Sequence, residues 1–428
     1  MSIPFPIYRA AAAALLVAVG APSWAADPLT LAEAQRLAVG RSQQLVAQDA
    51  LTSAAREQAV AAGQLPDPAL KLGVDNLPIN GPDRFSLTRD FMTMRRIGVM
   101  QEITRAEKRQ LRAERFERDA QRVLAQRQLT LANVQRDTAL AWLERYYTEA
   151  MRELVQQLIA EAELLVQAAE IAFRTGRSSQ ADVFLARGDV IGLRDRLSQI
   201  DRQSRTASLM LARWVGAAAA ERSPSGPPPW QSTPLRGEFS REQLKQHPDL
   251  LAIGAEIDAA ETEARLAQAN KRSDWSVEAS YSQRGSAFSN MVSIGVSIPL
   301  QWDQKNRQDR ELAAKLALVD EAQARYEDML RTREAEVRGG LYDWQTGKDR
   351  VARYRDELIP AARHRSQATL TVYGTGKGDL FGALLARRDE VDARMQALTL
   401  EMETARSWAQ LNFLIPDLDT AAPTKDSP

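Results

Sequence analysis

The 428-residue chain contains no cysteine. That one absence excludes disulfides, a thiolate nucleophile, Cys-rich zinc sites and a lipid-bearing N-terminal Cys. Histidine is nearly absent: His247 sits between Gln246 and Pro248, His364 between Arg363 and Arg365, and neither has metal-ligand spacing. Without a nucleophile–base pair or a metal constellation an enzyme is disfavoured, and no cofactor or bound metal is expected. Charge of one sign is lacking too. The 56 basic residues are matched by 56 acidic ones, and without a basic excess nucleic acid is not an expected partner. Only 22 Gly and 19 Pro punctuate the chain, which leaves room for very long elements. Ala, Leu, Gln, Glu and Arg fill it, the composition of long helices.

Long hydrophobic runs are also missing. Arg9, the apolar stretch Ala10–Gly20 and the small-x-small site Ser23-Trp24-Ala25 read as a secretory signal over residues 1–25, cleaved after Ala25. No later stretch approaches ~18 uninterrupted apolar residues, so no transmembrane helix is expected. If the exported chain crosses a membrane, it does so with strands.

What the chain does have is a repeat. "FRTGRSSQADVFLARGDV" from Phe173 is answered by "YGTGKGDLFGALLARRDEV" from Tyr373, with Gly176 and Gly376 offset by 200 residues. Ile97-Gly98-Val99 likewise matches Ile294-Gly295-Val296, and Lys108 matches Lys305 at the same offset of 197. The first repeat is read over 26–220 and the second over 239–415. A Pro/Gly/Ser-rich linker at 221–238 separates them, and a disordered tail follows at 416–428.

Each repeat reads helix, strand, strand, long helix, turn, helix. The helices are predicted at Thr30–Gly63, Arg105–Arg174 and Ser179–Trp214, then at Arg241–Lys271, Asp303–Tyr373 and Asp379–Phe413. Apolar steps of three and four carry them, as in Leu154, Leu158, Leu165 and in Leu312, Leu316, Val319. Each middle helix would span about 100 Å at ~1.5 Å per residue, and the flanking pair laid end to end matches it. That closure predicts a wall of helices. Gly176 and Gly376 would permit φ > 0 at the turns, with Ser178 or Ser179 and Asp379 capping the returning helices.

The strands, about 68–76, 94–103, 274–284 and 290–299, alternate. Trp275, Val277, Ala279 and Tyr281 oppose Ser276, Glu278 and Ser280; Val292, Ile294, Val296 and Ile298 oppose Ser293, Gly295 and Ser297. Leu70, Leu72 and Val74 alternate with Lys71, Gly73 and Asp75, whereas Met100 spoils the polar side of 94–103. This is the dyad pattern of a membrane barrel, lipid side apolar and lumen side polar; a soluble hairpin capping a helical bundle fits the strands equally well. In hydrocarbon, four strands leave open edges, so several copies would have to share one barrel.

Over its whole mature length the chain resembles the TolC family, the outer-membrane factors of tripartite efflux pumps. The resemblance rests on the duplicated plan, "LPDP" at Leu65–Pro68, "IGV" in both second strands and the paired aromatic-x-Thr-Gly turns. "MTMRRIGVMQEI" (Met92–Ile103) with Arg105–Arg109 looks most like the heavy-metal (CusC- and CzcC-like) branch. The fold so implied is mainly α with a small membrane β-barrel: a homotrimer with a twelve-stranded barrel in the outer membrane of a Gram-negative bacterium, set on a long periplasmic α-helical barrel. The resemblance further implies passive conduction of substrates, heavy-metal cations in that branch, with a periplasmic adaptor (membrane fusion protein) and an inner-membrane RND-type pump as partners. The missing cysteine departs from the lipoprotein members and leaves anchorage in lipid to the barrel.

Candidate sites are then pore and contact residues. Asp182, Tyr373, Asp379, Asp189 and Asp389 are the constriction candidates, with Glu390 as further charge, because repeated acidic groups in a narrow pore favour cations. The resemblance puts an acidic group near the aperture at Asp182 and an aromatic lock at Tyr373. Phe173, Gly176, Arg177, Gly376 and Lys377 are the tip and adaptor contacts. Trp275, Val277, Tyr281, Val292, Ile294 and Val296 form the lipid-facing strands. Met92, Met94 and Met100 could be soft metal ligands, though packing explains them more simply. Rival readings are a drug-efflux or type I secretion duct and, from another class, a soluble periplasmic coiled-coil adaptor.

Overall fold

The computed structural model describes residues 27–233 and 244–416. Its elements are α1 (Leu31–Arg41), α2 (Gln43–Ala62), β1 (Ala69–Asp75), β2 (Met94–Ile103), α3 (Ala106–Arg174), α4 (Gln180–Val215) and the short α5 (Ala217–Ala220). The second half supplies α6 (Pro248–Ala269), β3 (Trp275–Gln283), β4 (Met291–Ser297), α7 (Gln308–Arg353), a π-helical turn (Tyr354–Leu358), α8 (Ile359–Gly374) and α9 (Leu380–Asn412). The signal segment, residues 234–243 of the linker region and the tail from 417 lie outside the described residues.

Three helix expectations need correcting. The predicted helix Thr30–Gly63 is two, because Ser42 leaves helical dihedrals and caps α2 by accepting from the Leu45 N–H at 3.4 Å. The helix predicted from Asp303 starts at Gln308 and is interrupted by the π turn. Pro360 lies in the first turn of α8; lacking an N–H, it cannot continue the ladder, and the turn before it widens. Of the helix predicted from Arg241, residues 241–243 lie outside the described residues, Leu244 and Lys245 are helical, and the run breaks at Gln246 and His247 before α6 starts at Pro248, capped by the His247 ring, which accepts from the Asp249 N–H at 3.2 Å.

α3 is one unbroken helix of 69 residues, about 100 Å long at ~1.5 Å per residue. α2 and α6 pack beside the half of it nearer the strands and α4 and α9 beside the other. The strands form one antiparallel sheet in the order β1-β2-β3-β4, so the repeats join through β2 and β3 in the register Ile97↔Tyr281. Gly98, opposite Ser280, allows that join: a Cβ there would lie 2.8 Å from the Ser280 Cβ.

The main apolar core is a waist midway along α3. Trp142, Leu143, Tyr147, Leu211, Trp230 and Trp408 are buried there together. Three indoles also bind backbone: Trp142 Nε1 donates to the Leu29 carbonyl (2.9 Å), Trp344 Nε1 to that of Trp230 (2.7 Å) and Trp408 Nε1 to that of Ser232 (2.8 Å). Leu29 bridges to Pro224 beside them. The part of the linker that is described is therefore packed into the waist. Smaller clusters continue towards the turns, Val155, Leu158, Ile200 and Val391 first, then Ala169, Val183, Ala186, Leu380 and Leu384.

Candidate pore tips and barrel strands

The two turns are built alike. Gly176 and Gly376 adopt φ of 71° and 74°, left-handed values that cost glycine nothing. The N–H of Gly176 bonds back to Phe173 O and that of Arg177 to Ala172 O; Gly376 and Lys377 do the same with Tyr373 and Val372. These paired bonds close each long helix with the same αL cap.

The returning helices differ. Ser179 accepts from the Asp182 N–H, and the Asp182 carboxylate accepts from the Ser179 N–H (2.9 Å) and from the hydroxyls of Ser178 (2.8 Å) and Ser179 (2.9 Å). Those donors, the backbone one first, hold the Asp182 carboxyl below the usual aspartate range. Asp379 occupies the matching N-cap position but makes no capping hydrogen bond, and its partner position is Gly382, which has no carboxylate to return. The capping role expected of Asp379 is not found.

Asp182 and Tyr373 lie near each other across the repeats, close enough for the Asp182 charge to act on the phenol. Tyr373 packs on the Val183–Leu380 cluster, and its buried hydroxyl has no hydrogen-bond partner. Burial, with the Asp182 charge adding, pushes that phenol above its usual range. Phe173, its counterpart, is exposed, as are Arg177 and Lys377, which form no ion pair among the described residues. Farther up, Asp189 borders a groove floored by Leu158, Ala162 and Leu165 of α3 between α4 and α9. Burial raises its carboxyl, opposed by Arg388.

Asp389 instead pairs with Arg365 at 2.9 Å on the surface. Glu390 is 1 % exposed and clasped by Arg387 (2.7 Å) and Arg394 (2.5 Å). It supplies no free charge to a pore and belongs to the packing of α9 on α3, where Arg387 also meets Glu161.

At the sheet, one face carries the apolar residues. Leu70, Leu72 and Val74 of β1, Ile97 and Val99 of β2, Trp275 and Tyr281 of β3, and Val292, Ile294 and Val296 of β4 are exposed, while Val277 is half-buried. The opposite face carries a charge network. Lys71 reaches across β2 to Glu278 at 2.5 Å, and Arg96 lies 3.1 Å from Asp75 and 3.7 Å from Glu278. β1 and β4 each have one edge with no ladder partner. Met94 and Met100 lie six residues apart on β2, about 20 Å along a strand, too far to share an ion. No cluster of three or more His, Asp or Glu able to hold a metal occurs among the described residues.

Comparison with known proteins finds relatives for the second repeat and for the chain as a whole. Residues 240–415 match the model of the outer membrane efflux protein family. The cobalt-zinc-cadmium resistance protein CzcC of Cupriavidus metallidurans is 26 % identical over 415 residues, covering 92 % of this chain and 91 % of CzcC. The second repeat thus matches the outer membrane efflux protein family, and the chain as a whole is similar to CzcC. Its architecture agrees: the outer membrane protein VceC of Vibrio cholerae is 17 % identical, with a TM-score of 0.74 over 90 % of this chain and 95 % of VceC. CusC, 14 % identical, gives 0.75 over 90 % and 92 %. At such identities the likeness shows the fold alone.

The Lys71–Arg96–Asp75–Glu278 network and the tryptophan-clamped waist are the features that periodicity could not single out. Alternation put Lys71, Asp75 and Glu278 on polar faces. Their meeting depends on the register of strands some two hundred residues apart, and no local pattern encodes that.

Proposed function

We propose that three copies of this chain form the exit duct of a tripartite efflux assembly, which carries substrates passively from the periplasm to the outside and performs no reaction. The observation that supports this most directly is the sheet: four strands, two unpaired edges and an exposed apolar face. Open edges cost several kcal/mol per unpaired group in hydrocarbon, and three copies would close them into twelve strands, an even number in the range of membrane barrels. In this reading the apolar face meets lipid, and the Lys71–Glu278 face lines a lumen.

The turns at Gly176 and Gly376 are the periplasmic tips. Phe173, Arg177 and Lys377 are presented there to a periplasmic adaptor, with an inner-membrane RND-type pump beyond it. Asp182, Tyr373, Asp379 and Asp189 line the constriction, and Asp389 flanks it. The cargo is heavy-metal cations, on the strength of the CzcC likeness.

Two measurements test the reading. The mature protein should stay with outer membranes after carbonate washing and run as a trimer in detergent; release as a monomer would favour the soluble-adaptor reading. A deletion strain should become sensitive to cobalt, zinc, cadmium, copper or silver, and sensitivity to hydrophobic drugs alone would assign the duct to a drug pump. For the constriction, Asp182→Ala should change single-channel conductance and cation preference.

A further inference from the structure

The apolar stripe of β4 does not end where its ladder ends. The last pair is Ser276↔Ser297, yet Ile298, Leu300 and Trp302 continue the two-residue step of Val292, Ile294 and Val296. All six side chains are more than half exposed, Trp302 at 88 %. The alternate residues are tied inward: the Ser273 hydroxyl donates to the Pro299 carbonyl at 2.6 Å, and the Gln301 amide to the Asn270 carbonyl at 3.0 Å. One side of the segment is thus held against the turn after α6 while the other stays uncovered. Polarity then changes within one residue, since Asp303, Gln304, Lys305, Asn306 and Arg307 are all exposed.

The first repeat has no such extension. At the matching positions stand Gln101, Ile103 and Arg105. Gln101 and Ile103 are paired with Val277 and Trp275 in the ladder, and Arg105 Nε donates to the Ser273 carbonyl at 3.0 Å. The stripe is therefore not a requirement of the hairpin plan. Its length fits a membrane: from Val292 to Trp302 an extended chain advances about 33 Å, which a tilt of about 40° turns into about 25 Å of height, that of the outward apolar band of a barrel.

We infer that Ile298–Trp302 is the membrane-boundary anchor of this chain. Ile298 and Leu300 contact phospholipid acyl chains, and Trp302 sits at the headgroup level of the periplasmic leaflet, where an amphipathic indole is most stable. Lipid is the occupant because the outward side chains of this segment, Ile298, Leu300 and Trp302, are all apolar and follow those of β4 without a break. The inference rests on the barrel reading above.

The cysteine-free chain gives a clean test. Full-length protein carrying Ile294→Cys, Ile298→Cys, Leu300→Cys, Trp302→Cys or Gln304→Cys is spin-labelled in phosphatidylcholine vesicles and probed with oxygen and a water-soluble nickel chelate. Positions 298 and 300 should meet the chelate about tenfold less often than position 304 while remaining open to oxygen, with 302 in between. If 298 and 300 behave like 304 while 294 stays lipid-exposed, the anchor is wrong and the barrel stands. If 294 also behaves like 304, the barrel reading itself fails. Screening of 298 and 300 from both probes would mean a protein covers them, and would overturn the lipid assignment. A check without cysteine uses lipids brominated at graded depths: the fluorescence difference between wild type and Trp302→Phe should be quenched most by bromines nearest the headgroup, and its absence at every depth would overturn the anchor.

Discussion

The two repeats share one plan and differ where they face different neighbours. Lys108 is 3 % exposed and donates to the Arg272 carbonyl (2.5 Å) and the Asp274 carboxylate (2.9 Å), whereas its counterpart Lys305 lies in the open. Gly98 is pressed against Ser280, while Gly295 has nothing within 4 Å of where its Cβ would be. The first turn is fastened by a reciprocal Ser179–Asp182 cap, and the second has none. Residues of the first repeat meet the second repeat of the same chain. Their equivalents look outward, where a neighbouring copy would stand. The scaffold is common to both repeats, and the side chains at the seam inside one copy are what set them apart.

The comparison can be broken most severely at the glycines. Gly98→Val should disrupt the β2–β3 seam and with it assembly of the proposed trimer, because overpacking there costs about 1–3 kcal/mol in each copy; Gly295→Val should spare the fold of the single copy. SDS-resistant trimer on heated and unheated gels reads both. Next comes the lysine pair. Lys108→Met removes both bonds of a buried ammonium and leaves the half-buried Asp274 carboxylate with the Arg105 N–H alone, which should cost about 2 kcal/mol, against less than about 0.5 kcal/mol for exposed Lys305→Met; denaturant midpoints in detergent check the difference.

Much of this difference was not legible in the chain. Steps of two, three and four residues are local, so the strands and long helices could be read directly, as could the left-handed turns from Thr-Gly-base. Ser42 and Pro360 were readable too, since a Ser before an apolar run and a Pro inside one both break helices, but strong periodicity on either side masked them. The buried state of Glu390, the Asp182–Tyr373 proximity and the Lys71–Glu278 strut depend on which elements become neighbours. The asymmetry of the two caps came from three positions, since Gly378, Asp379 and Gly382 stand where Ser178, Ser179 and Asp182 stand in the first repeat.

The caps allow finer tests. Ser179→Ala should cost about 1 kcal/mol locally and Asp379→Ala far less, seen as faster hydrogen exchange of the first amides of α4 and unchanged exchange in α9. Because the Asp182 carboxyl titrates below its ordinary range, its cap is fully present above the unfolded aspartate range and fades as pH falls through the lowered value. The same exchange measured in acid should show α4 loosening at its start while α9 does not respond. The smallest effect is expected at Tyr373→Phe, which removes a buried hydroxyl with no partner; the melting temperature should hold or rise slightly.

One wall of the molecule is a single rod, α3, and the opposite wall carries a joint, the widened turn at Tyr354–Leu358 ahead of Pro360. A rigid strut hinged to a jointed one has a built-in direction of travel: load applied at the far end swings the jointed limb and leaves the other as its fulcrum. In the proposed duct the first give under such load is expected on the limb that ends at Gly376, where the ladder is already widened, and the limb that ends at Gly176 has no such turn in α3.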